Sequence, residues 1–284
     1  MNNQLEDRLS ALLSVLDFGT DGIWSGAVPQ GSQEAERKMR ERVAAAHHGD
    51  YMENIAKHHS VPVMDYEVRR FLDSLPHNAI ILDVGGCWGW HWRNLLKQRP
   101  DVCVVIVDFV RSNLHHAQNV LGALVGTRIA LVHGDATMLP FPNDVFDGFW
   151  TVQTFQHIPE FQQACREAHR LLKDGGKLTN YSLHVTPIVQ LIYRLFGKPY
   201  HKEGKVKDLF HLTRANDRQR DILSGIFGGQ VADRYTECLF HPDLRLIFSG
   251  KAGSWIGWLD AHMGDFPVLG HWLARQRSFE AIKS

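Results

Sequence analysis

Between residues 79 and 183 the chain changes texture repeatedly, and this alternation restricts its fold more than any other feature. Short apolar runs at 79–84, 102–108, 128–133, 145–152 and 177–183 alternate with helical segments near 90–98, 112–121 and 160–172. Each run is about as long as a buried strand. Strands alternating with helices imply βαβ units, hence a mainly parallel sheet with right-handed crossovers. In the last helical segment Phe161, Cys165, Ala168, Leu171 and Leu172 share one face, and Asp174-Gly175-Gly176 reads as its stop.

The flanks read differently. Leu5, Leu9, Leu12, Leu13 and Leu16 recur at helix spacing. Gly19, Gly22, Gly26 and Pro29 then mark a loop, a charged helix covers 33–46, and a further helix leads to Leu75-Pro76. Residues 1–75 are therefore expected to form a helical N-terminal lid, and 76–284 one α/β domain. Within that domain an insertion at about 186–275 is expected to cap the substrate. It comprises an amphipathic helix at 187–196, a basic loop at 197–210, a strand at 231–239 and helices at 255–263 and 269–274. A final edge strand is expected at 278–282. A chain of 284 residues suits one large domain with a substantial cap.

Charge narrows the partners. Lys and Arg number 31, as do Asp and Glu, so the formal net charge is zero. A nucleic-acid binder usually carries a basic excess to neutralise phosphates, so neither RNA nor DNA is expected. The start, Met1-Asn2-Asn3-Gln4-Leu5-Glu6-Asp7, has no cationic region leading into an apolar stretch. The apolar runs fall far short of the roughly 18 residues of a membrane span. The chain reads as cytoplasmic. Cys87, Cys103, Cys165 and Cys238 are scattered and form no CxxC pair, which speaks against a disulfide framework or structural zinc. The histidine pairs His47-His48, His58-His59 and His115-His116 diverge by about 100° on a helix, and no carboxylate cluster accompanies them. No metal site is expected.

The most informative stretch is Ile80-Ile81-Leu82-Asp83-Val84-Gly85-Gly86-Cys87-Trp88-Gly89. A buried strand ends in an acid and turns through glycines into a helix. Glycines permit positive φ and close approach of a ligand, while the following helix start offers unpaired N–H groups. Asp108 closes the next strand about 25 residues after Asp83, near the roughly 20-residue spacing of an acid that accepts from ribose hydroxyls. A carboxylate there disfavours a 2′-phosphate and so NADP.

Leu82-Asp83-Val84-Gly85-Gly86-Cys87-Trp88-Gly89 resembles motif I of class I S-adenosylmethionine (SAM)-dependent methyltransferases, with Cys87 where glycine is common. The segment from His133-Gly134-Asp135-Ala136 through Leu139-Pro140-Phe141-Pro142 to Phe146-Asp147 resembles a later motif of that family. So do Gln156-His157-Ile158 and Arg166-Glu167-Ala168-His169-Arg170-Leu171-Leu172-Lys173-Asp174-Gly175-Gly176-Lys177. The match resembles the small-molecule branch that includes quinone, sterol and sugar methyltransferases. It implies a Rossmann-like three-layer αβα sandwich with a seven-stranded sheet. It further implies that Asp83, Gly85, Gly86 and Gly89 form the methionine-side turn and that Asp108 holds the ribose. Phe109 would flank the adenine, Asp135 and Ala136 would meet its edge, and Val152 and Gln153 would approach the methionine end. His157 falls where the family often has a histidine, as a base or as helix-start packing.

The expected function is methyl transfer from SAM to a small-molecule acceptor, apolar or ring-bearing in view of Trp24, Tyr51, Trp255 and Trp258, with S-adenosylhomocysteine as product. A SAM-fold binding protein without transfer is the alternative. A nicotinamide dehydrogenase lacks support, because no GxGxxG is present and dehydrogenases have no equivalent of the segment from Gly134 to Phe141. His91 is expected either beside the methionine pocket or at the surface.

Overall fold

The computed structural model describes residues 3–26, 34–46, 51–58, 60–200, 204–206, 210–241 and 250–284. Pro29, the pair His47-His48, His59 and part of the basic loop therefore lie outside the described residues. The strands are β1 (Asp17–Phe18), β2 (Trp24–Ser25), β3 (Ile80–Val84), β4 (Cys103–Asp108), β5 (Ile129–His133), β6 (Phe146–Val152), β7 (Leu172–Leu183), β8 (Gly204–Val206), β9 (Phe210–Leu212), β10 (Ala232–Thr236) and β11 (Gln276–Ile282). The helices are α1 (Asn3–Leu13), α2 (Glu34–Ala46), α3 (Tyr51–His58), α4 (Val61–Asp73), α5 (Leu95–Gln98), α6 (Arg111–Leu121), α7 (Phe161–Leu171), α8 (Pro187–Leu195), α9 (Asp217–Phe227), α10 (Gly250–Met263) and α11 (Pro267–Leu273).

The main sheet runs β1-β2-β5-β4-β3-β6-β7-β11-β10. From β2 to β7 the pairs are parallel, whereas β11 is antiparallel to both β7 and β10. The seven strands from β5 to β10 form the expected α/β sheet. All residues of β3 and β4 are buried, as strands covered on both faces must be. One face packs a core that includes Leu5, Leu12 and Leu13 of α1, Ala164 and Ala168 of α7, and Leu223 of α9. The other packs Met64, Val68, Phe71 and Leu72 of α4 with Leu114 and Ala117 of α6. These are the outer layers of a three-layer sandwich.

Several elements differ from the sequence reading. The loop expected around Gly19 and Gly22 holds β1 and β2, and β2 extends the sheet by pairing Trp24 with Val132. Two-residue strands carry too little alternation to be read from a sequence. The helix expected at 90–98 is broken into a 3₁₀ turn, Trp90–Trp92, and α5. Asp174-Gly175-Gly176 does not stop α7, because Leu172 turns directly into β7. The glycines instead lie inside β7, where the register jumps from Phe146–Leu172 to Gly148–Lys177 and Gly175 donates to the Lys283 carbonyl. The extra residues form a bulge there. The last strand, β11, is interior and β10 is the edge. Its buried polar residues Gln276, Arg277 and Ser278 mask the alternation.

The N-terminal region is divided among these layers. α1 and α4 belong to the two cores, while α2 packs on α6 and reaches the cleft. There Glu41 accepts from the Arg111 N–H at 2.9 Å and from the Ser112 hydroxyl, placing a negative charge at the α6 N-terminus. Among the described residues no helix is long and apolar enough to cross a membrane, and no three His, Cys, Asp or Glu side chains cluster to hold a metal.

Candidate cofactor cleft

The carboxyl ends of β3, β4 and β6 and the turn after β5 meet in one cleft, as the crevice rule for parallel sheets requires. Val84, Gly85, Cys87, Asp108, Phe109, Asn113, Asp135, Ala136, Val152, Gln153, Thr154 and His157 line it, with Arg40 reaching in from α2.

Asp83 sits below the floor rather than in it. Fully buried, its Oδ2 accepts from the Trp92 indole N–H at 2.6 Å, and burial pushes its pKa up to about 7. A Cβ on Gly86 would lie 2.4 Å from the same Asp83 oxygen, so the turn after β3 closes down on Asp83 only with glycine there. Gly85 is more constrained: its φ is +72° and a Cβ would stand 2.0 Å from Thr154 Oγ1. Cys87 occupies the usual glycine position with φ +51°, the left-handed region a glycine would take. Its N–H donates to Asp108 Oδ2 at 3.0 Å. Burial, with the Asp108 charge adding to it, pushes the Cys87 thiol up, away from the thiolate form.

Asp108 joins two turns. Oδ2 accepts from Cys87, while Oδ1 accepts from the Val110 N–H at 2.8 Å at the entrance to α6. The residue is thus both a turn cap and a cleft carboxylate. Burial raises its pKa to about 6, against the lowering effect of those hydrogen bonds. Ribose hydroxyls donate to the ionised form, so affinity for an adenosyl ligand is expected to rise with pH through about 6 and level off above 7. Calorimetric titrations at several pH values check this, and an Asp108→Asn variant is expected to lack that step.

Asp135 engages Oδ1 with the Thr137 N–H and hydroxyl, both at 2.8 Å. Its Oδ2 accepts no hydrogen bond among the described residues, and the side chain lines the cleft. Gln153 stands at φ +53° just beyond β6, held by its N–H to the Tyr181 carbonyl at 2.7 Å. Its buried Nε2 has no partner among the described residues.

His157 lies on the 3₁₀ turn Phe155–His157. Nδ1 is 2.9 Å from the His211 carbonyl oxygen, which can only accept, so Nδ1 carries the proton. Gln156 Oε1 accepts from the Leu183 N–H, which turns its Nε2 donor toward His157 Nε2 at 3.1 Å. Burial, with the Arg40 charge adding to it, lowers the His157 pKa to about 4, and the ring is neutral at physiological pH.

Of the residues marked from sequence, Gly85, Asp108, Phe109, Asp135, Ala136, Val152, Gln153 and His157 come together around the cleft. Asp83, Gly86 and Gly89 do not line it and shape the turn from beneath. Gly89, at φ +68°, has room for no Cβ beside Leu121. His91 is neither in the cleft nor at the surface; it is buried, 4.1 Å from Trp90 between ring centroids. Sequence reasoning missed Arg40, Asn113, Thr154 and Ile158. Arg40 sits in a charged helix where nothing distinguishes it from Arg37 or Arg42. Thr154 follows directly on the marked pair Val152-Gln153 and was within reach.

The sheet order, the glycine turn and the acid closing β4 define a Rossmann-like α/β fold with its cleft at the carboxyl ends of the parallel strands. Residues 82–179 match the family model of the methyltransferase domain. Over 100 residues the chain is 34% identical to 2-methyl-6-phytyl-1,4-hydroquinone methyltransferase 1, chloroplastic, of Oryza sativa subsp. japonica, covering 35% of this chain and 29% of that protein. Over 131 residues it is 31% identical to a demethylmenaquinone methyltransferase of Staphylococcus epidermidis, covering 43% and 54% respectively. The chain thus spans about a third to a half of the length of these curated relatives. A SAM-dependent methyltransferase of Thermotoga maritima shares the fold, with a TM-score of 0.57 at 16% identity over 88% of this chain and all of that one.

Proposed function

We propose that the protein transfers the methyl group of SAM to the ring of an apolar small molecule, with a hydroquinone as the first acceptor to test. The observation that carries the cofactor part is Asp108, a buried carboxylate in the cleft already oriented by two backbone N–H groups. The cleft fits SAM in other ways. Gly85 lines the cleft, Asp135 Oδ2 remains to accept from an amino group, and the orphaned Gln153 Nε2 remains to donate to a carboxylate. The acceptor part is supported by the relatives, whose names specify phytyl-hydroquinone and demethylmenaquinone.

When bound, SAM supplies a methyl group on a sulfonium, which an acceptor displaces in line. The chain's own task is mainly positioning. Val152, Gln153 and Thr154 wall the transfer end, and α2 covers the cleft as a lid through Arg40. His157 is assigned to the acceptor, with its Nε2 lone pair accepting from an acceptor hydroxyl in place of Gln156. A ring with a pKa near 4 puts no second positive charge beside a sulfonium, but it is a weak base. Its contribution is therefore set at about 100-fold, the lower end for such groups.

Incubation with methyl-labelled SAM and a panel of prenylated hydroquinones and catechols tests this reading. Label is expected in a ring acceptor. His157→Ala is expected to lower kcat by about 100-fold while S-adenosylhomocysteine affinity stays within about threefold. Tight cofactor binding with no label in any acceptor would make the protein a SAM-binding module instead.

A further inference from the structure

β7 ends at the edge of the sheet where the cleft opens, and α8 follows it. β11 runs opposite to β7, so α11, which precedes it, lies at the same edge and packs against α8. On α8, Ile188, Leu191 and Leu195 recur at i, i+3 and i+7 and form an apolar stripe turned outward, while Val189 on the other side is buried. Leu195 and the adjoining Phe196 are 76% and 75% exposed. α11 adds Val268 and Trp272, at 77% and 54%. These side chains protrude. They do not line the neighbouring hollow, whose walls include Gln190, Arg194, Lys198 and Tyr200.

Charge selects the occupant. In a chain of zero formal charge, the stretch 194–207 carries Arg194, Lys198, Lys202, Lys205 and Lys207 against a single acid, Glu203. Arg194 and Lys198 are exposed beside the α8 stripe. A second copy of this chain would bring the same basic stretch against itself. A surface of anionic lipid headgroups over hydrocarbon matches both features, and tryptophan favours that boundary.

We infer that α8, α11 and the exposed cations Arg194 and Lys198 beside them dock the protein on an anionic lipid bilayer. The cleft edge then faces the membrane, and an apolar acceptor reaches the site without crossing water. Docking itself does not depend on the methyl-transfer reading.

Sedimentation of the full chain with phosphatidylcholine vesicles, with and without phosphatidylglycerol, tests this directly. Partitioning is expected to be at least about tenfold stronger onto the anionic vesicles. The double variant L195E/F196E is expected to lower it by about tenfold or more, and R194E/K198E to abolish the preference for anionic lipid. Both variants should melt with the wild type, because the replaced side chains are exposed. Absence of vesicle binding would overturn the inference, whether or not the chain forms a dimer that L195E/F196E dissolves. Equal binding of wild type and both variants would overturn it as well.

Discussion

Replacing Asp108 with alanine is expected to weaken S-adenosylhomocysteine binding by at least about a hundredfold, with little loss of thermal stability. Hydrogen bonds to an ionised acceptor contribute about 1.5–3 kcal/mol each, and a ribose diol directs two donors at one carboxylate. The variant also leaves the Cys87 and Val110 N–H groups without their acceptor, which loosens the turns on both sides of the adenosine. The stability change is expected to be small because the deleted carboxylate is itself held at a desolvation cost, seen in its raised pKa of about 6. Calorimetric titration of the two proteins, with melting curves run in parallel, measures both effects. Affinity within a factor of a few of the wild type would remove Asp108 from the ribose role. Asp108→Asn, which keeps one accepting oxygen, is expected to fall between the two.

A second large effect belongs to stability. Glu67 of α4 is fully buried and is held by Arg234 of β10 at 2.8 Å, by the Tyr181 hydroxyl of β7 at 2.8 Å and by Arg70 at 3.1 Å. Arg234 also donates to the Ala261 carbonyl of α10 and pairs with Asp265, so one guanidinium ties α4, α10 and the sheet edge together. Arg234→Ala leaves the Glu67 carboxylate buried with much of its compensation gone. Breaking such a pair from one side costs about 3–5 kcal/mol, a drop in Tm on the order of 10 °C for a chain of this size. Arg93→Ala, which removes a partly exposed pair with Asp65, is the control and is expected to cost at most about 1 kcal/mol. Equal melting of the two variants would show that the buried network is not what holds α10 to the sheet.

The sheet was legible because β3, β4 and β5 each bury a nearly continuous apolar run, as strands covered on both faces must. The cleft residues were legible where a backbone demand or a charge fixes the residue type, as at Gly85 and Asp108. Position within the site was less legible. Asp83 has the same residue type and strand-end place as Asp108, yet its carboxylate turns inward to Trp92, a pairing nine residues apart that only the folded turn reveals. Arg40 enters the cleft because α2 docks on α6 through Glu41, a contact 70 residues apart in sequence that leaves no local pattern. The polar face of β11 was opaque for a similar reason. Arg277 is buried because the half-buried Asp233 accepts from it across the β10–β11 pair and Asp217 accepts from its other end.

Titrating S-adenosylhomocysteine into the unaltered protein at pH 7.5 by calorimetry tests the central claim most directly. The account predicts a single saturable site of about micromolar affinity, weakening as the pH falls below 6. No heat and no rise in Tm at millimolar ligand would contradict it, leaving the glycine turn and Asp108 as features of a fold without its cofactor.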